Sequence, residues 1–372
     1  MKEFFQRPAK LILKDLLISI LIVSIIIGID RFALKYFEDK PNEMTLGNCA
    51  LENCQIPFAI NNINHFYVSS KGQDNSTCDF NNPCLTFSQV ETLAQPGDTI
   101  HLTGFLGIIT IKISGTPASP INIVGEDVIL SGLAVDGNYI NVYNVEVTGA
   151  VSHGIIVNSK HVLIQDSIVH NSVTENGINS ECENSGYWGS GIKARIGAEH
   201  VTFRGNIVFD NCGEGFGITR AVHVLLEDNI VRSNFSVGIY IDNSNHVIVK
   251  NNTIICDDAY LRNGNRMSGI VLAAEIYEGW GMQLHNVSVL NNRVDNCFDN
   301  IASWLTEDNS PSVNLTIEGN ISTNSIRRSI AIYSINQNVT VSNNIIDKPI
   351  YVAEDVINLG GLELADNIVN MP

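Results

Sequence analysis

From about residue 120 onward the chain alternates short runs of Val, Ile and Leu with polar, Asn-rich turns. The runs read HVTFRGNIVFDN, HVLLEDNIVRSN, HVIVKNNTIICD, NVSVLNNRVDNC, NLTIEGNISTNS, NVTVSNNIIDKP and LELADNIVN. Each run is too short for a helix and alternates with the two-residue period of a strand. The second residue of each GN, DN or NN pair falls at Asn206, Asn229, Asn252, Asn292, Asn320, Asn344 and Asn367, at intervals of 23, 23, 40, 28, 24 and 23. A step of 23 back from Ser167 reaches Asn144, in a matching YNVEV context. A period in the twenties without helical halves predicts a strand solenoid. The fixed leucines of a leucine-rich repeat are absent. With two or three short strands per repeat, the pattern predicts an all-β fold, a parallel β-helix of about ten coils.

In such a sheet, wound on itself, Ile and Val point into the bore and stack on their counterparts above and below. The recurring asparagines then form a structural ladder of side-chain amides along the axis, not a catalytic row. A Gly-Ile-type strand begins nine residues after the ladder position, at Gly215 and Gly238, and in equivalent places at Gly154, Gly191 and Gly269. Alternation turns Ile156, Lys193, Gly217, Tyr240 and Val271 outward, and two residues later Asn158, Arg195, Thr219, Asp242 and Ala273. Coils about 4.8 Å apart put Lys193 and Tyr240 roughly 10 Å apart across Gly217. The result is a trough with one cationic wall and one Tyr/Asp wall. Insertions at about 172–190, 256–268 and 273–285 bracket it and carry Trp188, Arg262, Arg266, Glu275 and Trp280. Trp304 falls on the outward stripe. Aromatic faces beside a polar cleft suit sugar rings.

Composition narrows the class. The 372 residues are 44% hydrophobic and 16% charged, with a net charge of −17. That excludes collagen-like, disordered and disulfide-dense miniprotein chains, and argues against a nucleic-acid partner, which needs a basic footprint. Residues 16–29 are an uncharged apolar run behind Lys2, Arg7, Lys10 and Lys14. Without a small-residue cleavage pattern after it, the run predicts an uncleaved signal-anchor over 15–33. A cytoplasmic segment 1–14 would precede it, and a linker 34–64 would lead to a β-helix over 65–372. The eight cysteines fit an extracytoplasmic body, at a cell surface or in a periplasm or lumen, and a secreted one if the segment is cleaved. Cys78 and Cys84 flank a Pro-containing turn, Cys49 and Cys54 lie similarly close, and Cys182–Cys212 and Cys256–Cys297 are expected to bridge neighbouring coils.

The segment HFYVSSKGQDNSTCDFNNPCLTFSQVETLAQPGDTIHL carries Tyr67, Val68, Ser69, Gly72, Asp74, Pro83, Thr86 and the run Pro96 to Ile100. It resembles the N-terminal cap of right-handed parallel β-helix proteins of the pectate-lyase-like superfamily. The resemblance implies a right-handed, single-stranded β-helix over 65–372, with Thr86 to Ala94 as a capping helix that plugs the bore. It also implies extracellular, carbohydrate-directed relatives, commonly lyases, hydrolases or epimerases. The stretch SGIKAR–NIVFDNCGEGFGI–NFSVGIYIDNS resembles recurring coils of the same superfamily.

The trough suits β-elimination on a uronic acid, which needs a neutralised carboxylate, a base and an acid. Lys193 is the candidate base, Tyr240 the acid, and Arg195, or a Ca²⁺ held by Asp242 and Glu214, the neutraliser. Glu214, Asp242, Trp188, Trp280, Trp304 and Arg220 are candidate substrate-binding residues; no metal set is read from spacing. Hydrolysis needs two carboxylates about 5–10 Å apart. Glu214 and Asp242 fall five strand positions out of phase, and Asp257–Asp258 is the fallback pair. His153 is a further candidate base. The sharpest expectation is a membrane-anchored uronate-polysaccharide lyase; a non-catalytic glycan-binding or adhesive module, or a hydrolase or epimerase of this fold, is the alternative.

Overall fold

The structure, a computed structural model, describes residues 63–177, 181–183, 188–276, 284–304, 312–333, 336–354 and 361–370. The expected anchor, nearly all of the linker, Cys49, Cys54 and Trp280 lie outside the described residues. Among the described residues no helix is long and apolar enough to cross a membrane.

One winding consists of the strands Glu199–Arg204, Ile207–Phe209 and Glu214–Thr219, which lie on three successive faces. The next winding repeats them as Val222–Glu227, Ile230–Arg232 and Val237–Asp242, parallel and in register. Among the described residues the first face stacks twelve strands, from His65–Ser69 to Leu362–Ala365. The third face stacks ten, in agreement with the expected coil number. The bore is filled by fully buried residues such as Val201, Phe203, Val208, Phe216 and Ile218, one set per winding.

The paired turn residues have separate tasks. The first residue of each pair takes a left-handed conformation: Gly205, Asp228, Asn251, Asn291, Gly319, Asn343 and Asp366 all have positive φ. Gly, Asn and Asp tolerate that region best. The second residue turns its amide into the bore. Asn206 Nδ2 donates to Asn229 Oδ1 at 3.0 Å, Asn229 to Asn252 at 2.8 Å and Asn252 to Asn292 at 3.0 Å. The ladder continues through Asn320 and Asn344 to Asn367. Asn144 belongs to the first class, with φ +55, and the residue in the ladder position is Val145, whose N–H donates to Ser167 Oγ. The step back from Ser167 is therefore one residue shorter than the repeat. A second, shorter ladder joins Asn211 to Asn234 at 2.9 Å.

At the N-terminal end the helix is shorter than expected. Thr86 caps a five-residue helix, Phe87–Glu91, with its side chain accepting from the Gln89 N–H. Phe87 and Val90 join the core. The bore-plugging helix expected over 86–94 is corrected to this five-residue helix, which is too short to plug the bore. The disulfides Cys78–Cys84, Cys182–Cys212 and Cys256–Cys297 are formed.

Candidate functional site

The outward side of the third face is a lattice of three rows, one residue per winding in each. The first row runs Ser190, Glu214, Val237, Ser268, Asp299, Arg328. The second runs Ile156, Lys193, Gly217, Tyr240, Val271, Ala302, Ala331, Tyr351. The third holds Thr219, Asp242 and Ala273, and the backbone bonds of Trp304 and Tyr333 continue it. Lys193, Gly217 and Tyr240 thus stack vertically, as alternation requires.

Glu214 enters this lattice through a local break in alternation. A Cβ on Gly215 would lie 2.7 Å from Val231 Cγ1, a bore residue, and 2.5 Å from the Gly238 carbonyl oxygen. Gly215 and Phe216 therefore both face inward, and Glu214 before them faces out, in phase with Gly217. Glu214 keeps its expected offset of five strand positions from the row of Asp242, and its carboxylate lies next to Lys193. Its Oε2 accepts from Ser190 Oγ at 2.6 Å and from Lys193 Nζ at 3.3 Å. Gly217 leaves the space for this cluster: a Cβ there would sit 2.3 Å from Glu214 Oε2 and 2.7 Å from Lys193 Nζ.

A cavity of about 450 Å³ opens over the cluster. Lys193, Glu214, Thr219, Ser236, Val237 and Tyr240 form its floor and near wall, while Trp188, Arg262, Glu275 and Trp304 close it. Trp188 is half exposed and carries Arg262 over its ring at 4.4 Å; Arg262 Nη1 also donates to Ser236 Oγ at 3.1 Å. Trp304 tilts against Tyr240, ring centroids 5.8 Å apart. The Tyr240 hydroxyl donates to Glu275 Oε1 at 2.6 Å. Two carboxylates thus share the cavity, one buried beside a lysine and one exposed on a tyrosine.

Burial pushes the Glu214 carboxyl up, against the pull of Lys193 and with a smaller push from Glu275. Tyr240 is held well above the usual phenol range, first by burial and then by Asp242 and Glu275, so it stays a donor. His153 stands behind the cavity, where its Nδ1 accepts the Ser190 N–H at 3.1 Å. Burial, with help from Lys193 and Arg195, pushes its imidazole down to about 4.

Of the expected site residues, Lys193, Glu214, Tyr240, Trp188 and Trp304 line the cavity. Arg195 is exposed in the turn after Ser190–Ala194, and Arg220 lies in the turn after Glu214–Thr219 with φ +54; neither lines the cavity. Asp242 is buried and accepts from the Glu275 N–H at 3.0 Å and from Asn243 Nδ2 at 3.1 Å, which places it as a brace under the loop. A Ca²⁺ between Asp242 and Glu214 does not fit these engagements, and among the described residues no group of three His, Cys, Asp or Glu is arranged to hold a metal ion. Asp258 is paired with Arg266, and Asp257 accepts from Ser233 Oγ, so the fallback carboxylate pair serves loop structure. Arg262 and Glu275 were marked only by their place in the insertions.

A family described as the right-handed β-helix region matches residues 131–274, which include the strands of this lattice from Ile155 to Ala273. The chain is a right-handed parallel β-helix protein. No curated protein matches its sequence. Among solved structures, the β-helix is similar to XylC in complex with xylose (TM-score 0.59, 11% identity, 78% of this chain and 70% of that one). It is also similar to the Streptococcus pneumoniae surface protein and adhesin PfbA (0.54, 13%, 73% and 89%). A third likeness is to a lacto-N-biosidase from Eubacterium ramulus (0.53, 13%, 83% and 68%). At these identities the likeness is one of fold.

Proposed function

We propose that the β-helix binds a glycan in the Trp188–Trp304 cavity and cleaves it by acid–base chemistry, with Glu214 as proton donor and Glu275 as its counterpart. The carrying observation is the pair of carboxylates in opposite settings within one cavity. Environments that separate two carboxyl groups in this way suit them to separate acid and base roles. Glu214 is buried and retains a proton more readily than an ordinary carboxyl. Its Lys193 neighbour stabilises the anion left after the proton is given to a leaving oxygen. Glu275 at the mouth, oriented by Tyr240, would activate water or attack the sugar. Sugar faces would stack on Trp188 and Trp304. The similar folds of XylC in complex with xylose and of the lacto-N-biosidase are compatible with this reading.

Elimination by Lys193 and Tyr240 is the second reading, favoured by the two cations, Lys193 and Arg262, that face the cavity. Against it, Lys193 is tied to Glu214 and Arg195 stands outside. A glycan panel separates the two: new reducing ends without ultraviolet absorbance mean hydrolysis, and absorbing unsaturated ends mean elimination. We expect Glu214→Gln and Glu275→Gln each to lower turnover by at least ~100-fold. Full activity in both variants, or unsaturated products, would sink the hydrolytic assignment. Binding without turnover across the panel would leave an adhesive module.

We place this chemistry outside the cytoplasm, because three disulfides suit an oxidising compartment. The apolar run 16–29 would tether the β-helix to a membrane.

A further inference from the structure

The outward lattice continues past the cavity toward the C-terminal windings. Beyond Tyr240 its middle row shrinks to Val271, Ala302 and Ala331, a floor of small buried residues. Trp304 and Tyr333 pack against that floor from the neighbouring row, and Tyr351 follows Ala331 in the floor row itself. At its far end, in the same row as Glu214 and four windings on, stands Arg328. Four spacings of about 4.8 Å put it roughly 19 Å from the Glu214 position along the axis.

The two neighbouring arginines there are not equivalent. Arg327 Nε donates to Asp299 Oδ1 at 2.9 Å, and its Nη2 donates to Oδ2, so the buried Asp299 carboxylate compensates that charge. Arg328 has no ion pair among the described residues. Its Nη1 donates to the Tyr333 hydroxyl at 3.2 Å, and its Cζ lies 3.0 Å from the Tyr351 ring centroid. A guanidinium fixed between two phenol rings, with no further hydrogen bond or ion pair among the described residues, is preorganised for a planar or tetrahedral oxyanion. It also stands in a chain whose overall charge is −17, so this local excess of positive charge runs against the composition.

Building on the glycan reading of the cavity, we infer that Arg328, with Tyr333 and Tyr351, forms a distal subsite that takes an anionic group, carboxylate or sulfate, on a glycan chain lying along the helix axis. The spacing means that one sugar unit cannot reach both places. The site would then select an extended acidic glycan over a short or neutral one.

The test is equilibrium binding to the full chain and to Arg328→Gln, read by calorimetry. The probes are a uronate disaccharide and hexasaccharide, a sulfated hexasaccharide and a neutral hexasaccharide. The wild type should bind at least one acidic hexasaccharide tenfold or more tighter than the disaccharide and the neutral chain. Arg328→Gln should lose at least fivefold on that ligand while disaccharide affinity stays unchanged, which also shows that the cavity is intact. Whichever acidic chain responds identifies carboxylate or sulfate. Equal acidic-hexasaccharide affinity in the two proteins overturns the inference. So does an equal loss on the neutral chain, or no acidic binding by the wild type. The readout is binding, so an effect of Arg328→Gln beside normal turnover in the Glu214 and Glu275 variants would sink the cleavage reading alone.

Discussion

His153 accepts a backbone N–H from Ser190 and therefore must stay unprotonated where it sits. Its imidazole is pushed down to about 4, whereas an unfolded histidine titrates near 6.5. Above pH 6.5 both states are neutral and the full contribution to stability is present. Between about 6.5 and 4 the unfolded chain takes up a proton that the folded chain refuses, so stability falls with acid, by about 3 kcal/mol in total. Denaturant unfolding at pH 7 and pH 4.5 should show that loss in the wild type. His153→Gln, which keeps an acceptor but cannot titrate, should show a visibly smaller one. Parallel losses in both would mean that the titrating group lies elsewhere. Gly217 and Glu214 illustrate the same scale: a missing side chain makes room for the Glu214 carboxylate beside Lys193.

Within an element, the ladder is the tightest coupling between windings. Asn229 donates to Asn252 Oδ1 and the Phe203 carbonyl, and accepts from the N–H and side-chain amide of Asn206. Asn229→Ala leaves those groups buried without partners, a cost of roughly 4 kcal/mol at about 1 kcal/mol per bond. Asn367, half-buried at the last described winding, makes similar bonds where water can replace them, so Asn367→Ala should cost clearly less. Urea unfolding of the two variants checks the ranking; equal costs would deny the ladder its role. The main ladder was legible because seven asparagines repeat it. The Asn211–Asn234 ladder was not, because its amide-to-amide bond spans a single step, which leaves no period to read.

For the molecule as a whole, the disulfides join loops to the rigid cylinder. Cys182–Cys212 and Cys256–Cys297 close chain separations of 30 and 41 residues. In the chain-entropy account each contributes roughly 4 kcal/mol. Cys182 packs with Val173, Cys212, Phe235 and Tyr260 at the base of the inserted loop that leads to Trp188. Replacing Cys182 and Cys212 by Ser should lower the unfolding midpoint and also weaken glycan affinity through Trp188. The Cys256→Ser/Cys297→Ser pair provides the comparison. A stability loss of the same size with unchanged affinity would show that the bridge only staples the fold.

The repeat determined the architecture from sequence because every winding poses the same problem: fill the bore, turn at a left-handed residue, and satisfy the buried amide. That also aligned Lys193, Gly217 and Tyr240, since strand alternation and coil spacing are local rules. The rest depended on non-periodic segments. Arg262 and Glu275 reach the cavity on insertions whose paths no period describes. Glu214 faces outward only because two successive residues turn into the bore, and Arg195 drops out because its strand ends one residue too soon. Which charged groups share a cavity is fixed by how loops fold back over the cylinder, and that is a property of the packed chain.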